Sequence, residues 1–212
     1  MKVMTSYYSQ IRPEVAAFVP KNIKTILDIG CGQGAFVELV KKQTGAITWG
    51  VEVVPEIAEK AKDKVDHILV GKIEEEINAI PNGYFDCITM NDVLEHLLEP
   101  TEVLKMIRPK LSENGVIVAS IPNVRYFYNL YDLILKKDWE YRDAGILDST
   151  HIRFFTKKSM RRMFEHAGYE VINQKGINEI KSWKFRFINF MLFNIFTDIK
   201  FLQYVCLAKS NK

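Results

Sequence analysis

Asp28-Ile29-Gly30-Cys31-Gly32-Gln33-Gly34 joins an apolar, β-branched run, Thr25–Ile29, to a stretch of helical period at 35–42. A strand that ends in glycines and feeds a helix is the ligand end of an open α/β sheet. Glycine reaches positive φ without strain and lets backbone approach a ligand closely. Three alternating glycines exceed what a tight turn needs. The alternation continues outward. Apolar runs at 48–53, 67–70, 85–90, 115–121, 169–174 and 201–208 read as strands. Helical patterns fill 55–64, 99–108 and 157–166. Pro55 suits a first helical turn, Thr156 an N-cap and Gly168 a C′ position. This order predicts a Rossmann-like, mostly parallel sheet with helices on both faces. Only the last two strands break the pattern, because a long non-strand segment at 175–200 separates them.

The chain has 212 residues, which suits one domain with insertions and a core large enough to fold without disulfides or metals. Its 29 basic and 26 acidic residues are too balanced to mark a nucleic-acid binder. Cys31, Cys87 and Cys206 have no metal spacing, and 1–9 has no apolar signal core, so a reduced, cytoplasmic protein is expected.

The glycine loop fits two cofactors. Gly30-x-Gly32-x-x-Ala35 matches a dinucleotide fingerprint, with Glu52 placed to accept ribose hydroxyls. Asp28 separates the two. A carboxylate there repels a pyrophosphate and attracts a sulfonium or an ammonium. It can also cap the loop's own N–H groups.

Residues 26–34 (Ile-Leu-Asp-Ile-Gly-Cys-Gly-Gln-Gly) resemble the first motif of class I S-adenosylmethionine-dependent methyltransferases. The likeness runs over about 7–174. It includes Tyr7-Tyr8 through Arg12-Pro13, Glu52, the run 85–96 with its Leu94-Glu95-His96, and 151–156 with the helix that follows. By pattern it is strongest to ubiquinone-type O-methyltransferases and the broad bacterial methyltransferase-domain group. The resemblance implies a seven-stranded mixed sheet with an antiparallel last strand. It also implies S-adenosylmethionine as cofactor, held by Tyr8, Arg12, Asp28, Gly30, Cys31, Gly32, Gly34, Glu52, Val53, Ile73, Asn91 and Asp92. One position departs. Where the family often has an Asp for the adenine amino group, Lys72 stands, and lysine cannot accept that bond. Backbone, Ile73 or Glu74 would have to serve, while 74–76 reads as a solvated helix start.

Methyl transfer rests on positioning, and a base is needed only if the acceptor must lose a proton. His96 and His151 are the candidate catalytic residues. His96 could instead cap its short turn, and His151 could be a loop histidine bonded to backbone. His67 and His166 read as structural. No His, Asp and Glu cluster stands at ligand spacing, so no metal is expected. The acceptor pocket is expected between an N-terminal helix at 9–19 with Tyr7, Tyr8 and Arg12, the aromatic run 122–128, and the loop 137–153. Aromatic walls with few polar groups are the usual lining. Segments 122–155 and 176–200 are read as acceptor-site or lid additions. Arg12 and Arg125 could meet an anionic group or lie on the surface. The aromatic stretch 183–196 is too short and polar to span a bilayer. It packs over the sheet in the plain reading, or makes a dimer or membrane-surface contact.

The reading is an S-adenosylmethionine-dependent methyltransferase for a small-molecule acceptor, a hydroxyl before an amine. A catalytically inactive cofactor-binding sensor or scaffold is the alternative. A nicotinamide oxidoreductase is disfavoured by Asp28. Nucleic-acid methylation is not expected, since the Asn-Pro-Pro-Tyr type of motif is missing.

Overall fold

Every predicted strand forms, and the first five run parallel because the segment after each of the first four carries the chain back to the amino-terminal end of the sheet before the next begins. A computed structural model describes residues 8–191 and 193–211. The strands are β1 (Thr25–Ile29), β2 (Ile47–Glu52), β3 (His67–Val70), β4 (Phe85–Asn91), β5 (Leu111–Pro122), β6 (Tyr169–Glu179) and β7 (Phe201–Ser210). Their order is β3-β2-β1-β4-β5-β7-β6, with β7 antiparallel to both neighbours. The strand order reverses between β1 and β4, so their carboxyl ends open a crevice at a topological switch point.

β1 is buried along its whole length, as its unbroken Thr-Ile-Leu-Asp-Ile run requires of a strand covered on both faces. One face carries a large core around Leu27, Phe85, Ile88, Leu104, Ile117 and Phe164. The other carries Val15, Ile26, Phe36, Val37, Val40 and Val118. The helices are α1 (Pro13–Ala16), α2 (Ala35–Thr44), α3 (Pro55–Ala61), α4 (Ile73–Glu76), α5 (Pro100–Ile107), α6 (Phe127–Tyr131), α7 (Lys157–His166) and α8 (Trp183–Met191). The capping expectation for α7 holds. Thr156 accepts from the Ser159 backbone N–H at 3.2 Å, Ser159 Oγ accepts from the Thr156 N–H at 2.8 Å, and Gly168 takes φ +85° past the end.

Three expectations change. The N-terminal helix is one turn, not 9–19: Pro13 at its start disfavours helix before it, Arg12 sits in the left-handed region at φ 44°, and Pro20 follows closely. β6 continues to Glu179, because residues 175–179 pair with the start of β7. The aromatic segment splits. Phe185 and Ile199 are buried with Tyr126 and Phe127 in a small separate cluster, while Phe187, Phe190 and Phe193 face outward. Among the described residues no helix is long and apolar enough to cross a membrane.

Candidate functional site

The glycine loop crosses the carboxyl end of β1 with Gly30, Gly32 and Gly34 at φ +73°, +55° and +75°. The glycines are needed for packing as well as for backbone shape. A Cβ on Gly30 would lie 2.6 Å from Val93 Cγ2, and one on Gly32 2.7 Å from the Tyr8 carbonyl oxygen. Tyr8 therefore lies over the loop, and its carbonyl accepts from the Gln33 N–H at 2.9 Å. Tyr7 lies outside the described residues.

Glu52, 4% exposed at the end of β2, accepts from the Gly32 N–H at 2.9 Å and the Val54 N–H at 3.0 Å. Two such bonds tie the β2 end to the loop and fix the carboxylate at the cleft. Val53 beside it is exposed. Cys31 is buried, and burial pushes its thiol well above its usual range. Asp28 is 2% exposed and accepts one bond, from Thr89 Oγ1 at 2.6 Å. Burial raises its pKa to about 7; the Thr89 bond opposes the rise and the Glu52 charge adds to it. Among the described residues no cation pairs with it. Lys72 is exposed just before α4, and Ile73 packs into the larger core instead of standing free at the cleft. Glu74 and Glu75 are exposed, as a solvated helix start requires.

Across the crevice, β4 ends at Asn91, and Asp92 turns into the left-handed region at φ 54°. Strain at a non-glycine residue persists only where its surroundings hold it. Here Arg12, also left-handed, pairs with Asp92 through Nη1 and reaches Gln203 Oε1 at 2.9 Å, and Gln203 Nε2 donates to Asp92 Oδ1 at 2.7 Å. Arg12 thus serves as an internal clamp. Arg125 is likewise engaged, with Asp198 at 2.6 Å.

A single turn, Leu94–His96, follows, and the loop before α7 is latched to it. The Glu95 carbonyl accepts from the Ile152 and Arg153 N–H groups, both at 3.0 Å. The latch sets the rings of His96 and His151 edge to face, with centroids 4.6 Å apart. Both histidines spend Nδ1 on backbone: His96 on the Thr150 carbonyl at 3.2 Å, His151 on the Ile146 carbonyl at 2.9 Å. His96 therefore bonds the loop rather than capping its own turn. Burial, with help from His151, lowers the His96 pKa. Glu95 lies in the same turn as His96. It is 1% exposed, and neither carboxylate oxygen has a hydrogen-bond partner. Oε1 lies 3.9 Å from His151 Nε2. Burial, then the nearby Asp92, raises the Glu95 pKa. The expectation that no His and acidic residues gather at ligand distance misses this group, because the fold and not the spacing assembles it.

A cavity of about 270 Å³ opens beside this cluster, lined by Arg12, Asp92, Glu95, Asp148, His151 and Gln203 among others. His151, not His96, faces it. The N-terminal stretch and the 144–151 loop contribute as expected, but of the 122–128 run only Pro122 does. Tyr126 and Phe127 pack against the aromatic segment instead. The missing wall comes from the antiparallel β6–β7 pair through Asn178, Leu202 and Gln203. The lining is charged and polar rather than aromatic.

The family model for a methyltransferase domain matches residues 4–174. The chain is 36% identical over 109 residues to a ubiquinone biosynthesis O-methyltransferase of Histophilus somni, covering 47% of this chain and 45% of that one. It is 31% identical over 150 residues to a malonyl-[acyl-carrier protein] O-methyltransferase of Halalkalibacterium halodurans, covering 67% and 54%. The chain spans about half the length of these curated relatives. A crystal structure of an S-adenosylmethionine-dependent methyltransferase from Archaeoglobus fulgidus shares the fold, with TM-score 0.72, 21% identity, and coverage of 97% of this chain and 93% of that one.

Proposed function

The chain belongs to the methyltransferase-domain family, whose cofactor is S-adenosylmethionine, and from that premise we propose that it methylates an oxygen of a small polar acceptor seated in the cavity beside Glu95 and His151. The cofactor supplies a methyl group on a cationic sulfur, which passes to the acceptor oxygen while sulfur keeps the bonding pair. The buried Asp28 suits this cofactor: it is a carboxyl group without a cation, beside glycines that admit one. Glu52 would take the ribose hydroxyls, with Val53 just past the end of β2 and Asn91 and Asp92 at and just past the end of β4. Arg12 acts through Asp92, holding the strained turn where the two ligands meet.

The observation that carries the reading is the placement of Glu95 and His151 on the wall of the cavity at the β4 end of the crevice, with the His96 ring packed against His151. A hydroxyl acceptor must lose a proton as the methyl arrives, and this cluster is where the chain offers groups for it. Both curated relatives quoted above are named for transfer to oxygen, which supports oxygen over nitrogen. In a panel of hydroxylated and amino acceptors read by mass spectrometry, a hydroxylated one should gain one methyl. His151→Ala should lower kcat on it by about 10²-fold or more with cofactor affinity retained. If only amines gain methyl, or if His151→Ala changes kcat less than a few-fold, this reading fails. Cofactor binding with no methylated acceptor would favour the sensor alternative.

A further inference from the structure

We propose that the cavity beside Glu95 takes an acceptor with a positive charge, a small hydroxylated amine whose ammonium meets Glu95 and Asp148 while its hydroxyl meets His151. This names the acceptor class for the transfer to oxygen proposed above. It rests on that reading for the atom that gains the methyl, and on the cavity alone for the charge.

Four carboxyl groups line the cavity, on Glu14, Asp92, Glu95 and Asp148, and Arg12 is the one permanently charged cation among the described lining residues. That guanidinium is already engaged. Its Nε donates to Glu14 at 2.8 Å, Nη1 to Asp92, and Nη2 to Gln203 at 2.9 Å and Ser120 at 3.3 Å. Four of its five N–H groups are used, and two carboxylates balance its charge. An acceptor carrying a carboxylate or phosphate would meet like charge here.

Glu95 and Asp148 are left over. Glu95 is 1% exposed, and neither carboxylate oxygen accepts a hydrogen bond. Asp148 Oδ1 accepts from the Thr150 N–H at 2.8 Å and from Thr150 Oγ1 at 2.6 Å, both uncharged donors. The two carboxyl groups stand close enough for the Asp148 charge to oppose ionisation of Glu95. A buried carboxylate without donors is costly until a proton or a cation compensates it. An ammonium supplies both missing things, a positive charge and N–H donors. Because Glu95 lines a cavity and not solid core, the cation can arrive with the acceptor. Walls of one sign also draw such a molecule in.

The same contact selects oxygen over nitrogen. Carboxylates beside an amine favour its charged form, and a protonated nitrogen has no lone pair to receive a methyl. The hydroxyl does. His151 Nδ1 donates to the Ile146 carbonyl at 2.9 Å, which leaves the Nε2 lone pair for the hydroxyl proton. The oxygen's electron pair forms the bond to the methyl carbon, and sulfur keeps the pair of the bond that breaks. The imidazolium that results lies 3.9 Å from Glu95 Oε1, which attracts it.

The test uses the full chain, with and without S-adenosylhomocysteine, and two sets of matched probes. One set is tyramine, 4-hydroxyphenethyl alcohol and 4-hydroxyphenylacetate. The other is glucosamine, glucose and glucuronate. In calorimetry the amine of at least one set should bind about tenfold or more tighter than its neutral partner, and the anion more weakly than either. Glu95→Gln and Asp148→Asn keep side-chain shape and remove charge, so each should shrink that preference several-fold. Melting temperatures report whether the variants are folded, and Glu95→Gln should not melt below wild type. Where a probe gains a methyl, fragment masses should place it on oxygen. Equal affinity across charge, no binding of either amine at millimolar concentration, an unchanged preference in both variants, or methyl on nitrogen overturns the proposal. Variants that weaken S-adenosylmethionine but not S-adenosylhomocysteine, with the probe preference intact, would assign the acidic wall to the sulfonium and overturn it too. S-adenosylhomocysteine binding without a preference for the amines would sink the cationic acceptor and leave the methyltransferase reading standing. The reverse result would sink the methyltransferase reading and leave the subsite.

Discussion

Asp28→Asn should make the ligand-free protein more stable at neutral pH while damaging cofactor binding. The Asp28 carboxyl is 2% exposed, accepts one hydrogen bond and has a pKa raised from the usual 3.8 to about 7. A raised pKa means that the folded state favours the protonated form. The stability this contributes is full below about pH 4 and is lost as pH climbs through about 7. A shift of that size corresponds to something on the order of 4 kcal/mol. Asparagine keeps the shape and can still accept from Thr89 Oγ1, but it does not titrate. Chemical unfolding of the two proteins at intervals from about pH 5 to pH 8.5 should show the variant gaining on wild type by about 2.7 kcal/mol, the part of the loss that falls between pH 5 and the Asp28 pKa of about 7. The difference curve isolates this residue, since Glu95 titrates in both proteins. Binding should run the other way. Cofactor affinity of wild type should fall below about pH 7, where a proton competes with the ligand's positive charge, and that of the variant should be weak and flat. Parallel stability curves, or a variant that binds as tightly as wild type, would refute the argument.

Glu52→Gln should weaken S-adenosylhomocysteine binding by about 1–3 kcal/mol in calorimetry, because it removes charge from the hydrogen bonds at the cleft; unchanged affinity would mean that Glu52 serves only Gly32 and Val54. Thr156→Ala should cost about 1 kcal/mol in urea unfolding, since it opens the capping box of α7, and should leave cofactor affinity as it was. A loss of affinity instead would show that the latch between the 144–153 loop and the Leu94–His96 turn depends on that helix start.

What could be read from the sequence were the features written in contiguous residues. The β1 run, the three glycines and Glu52 describe one strand–loop–helix unit and the end of the next strand, and each has its own local signature. The β6 extension has none, because residues 175–179 pair only once β7 lies beside them. Gln203 is invisible for the same reason: it reaches Asp92 from a strand 111 residues away. The tyrosines of 126–128 misled because aromatic residues suit a pocket and a packed cluster alike, and α8 decides for the cluster through Phe185. Glu95 could have been noticed. It sits between Leu94 and His96 in an apolar setting, where a carboxylate needs a reason. The partner that gives it one, His151, lies far along the chain, and no spacing rule joins them.

The site holds two carboxyl groups in the wrong surroundings for their charge. Asp28 has one donor and Glu95 none, and burial raises the pKa of both. Either could be replaced by a neutral residue of the same shape at a gain in ligand-free stability, so packing does not account for them. Their positions do. Asp28 lies at the start of the glycine loop, and Glu95 lines the cavity beside His151. Each is costly in the ligand-free protein, so the chain gives up stability at two points that border the crevice. On this view a double variant, Asp28→Asn with Glu95→Gln, is the most stable form of the chain and an inactive one. The two gains should add, because the groups share no contact: Asp28 meets Thr89 and Glu95 meets His151. A double variant less stable than either single one would mean that the carboxyl groups hold the fold together, and the case that they are kept for function would fall with that result.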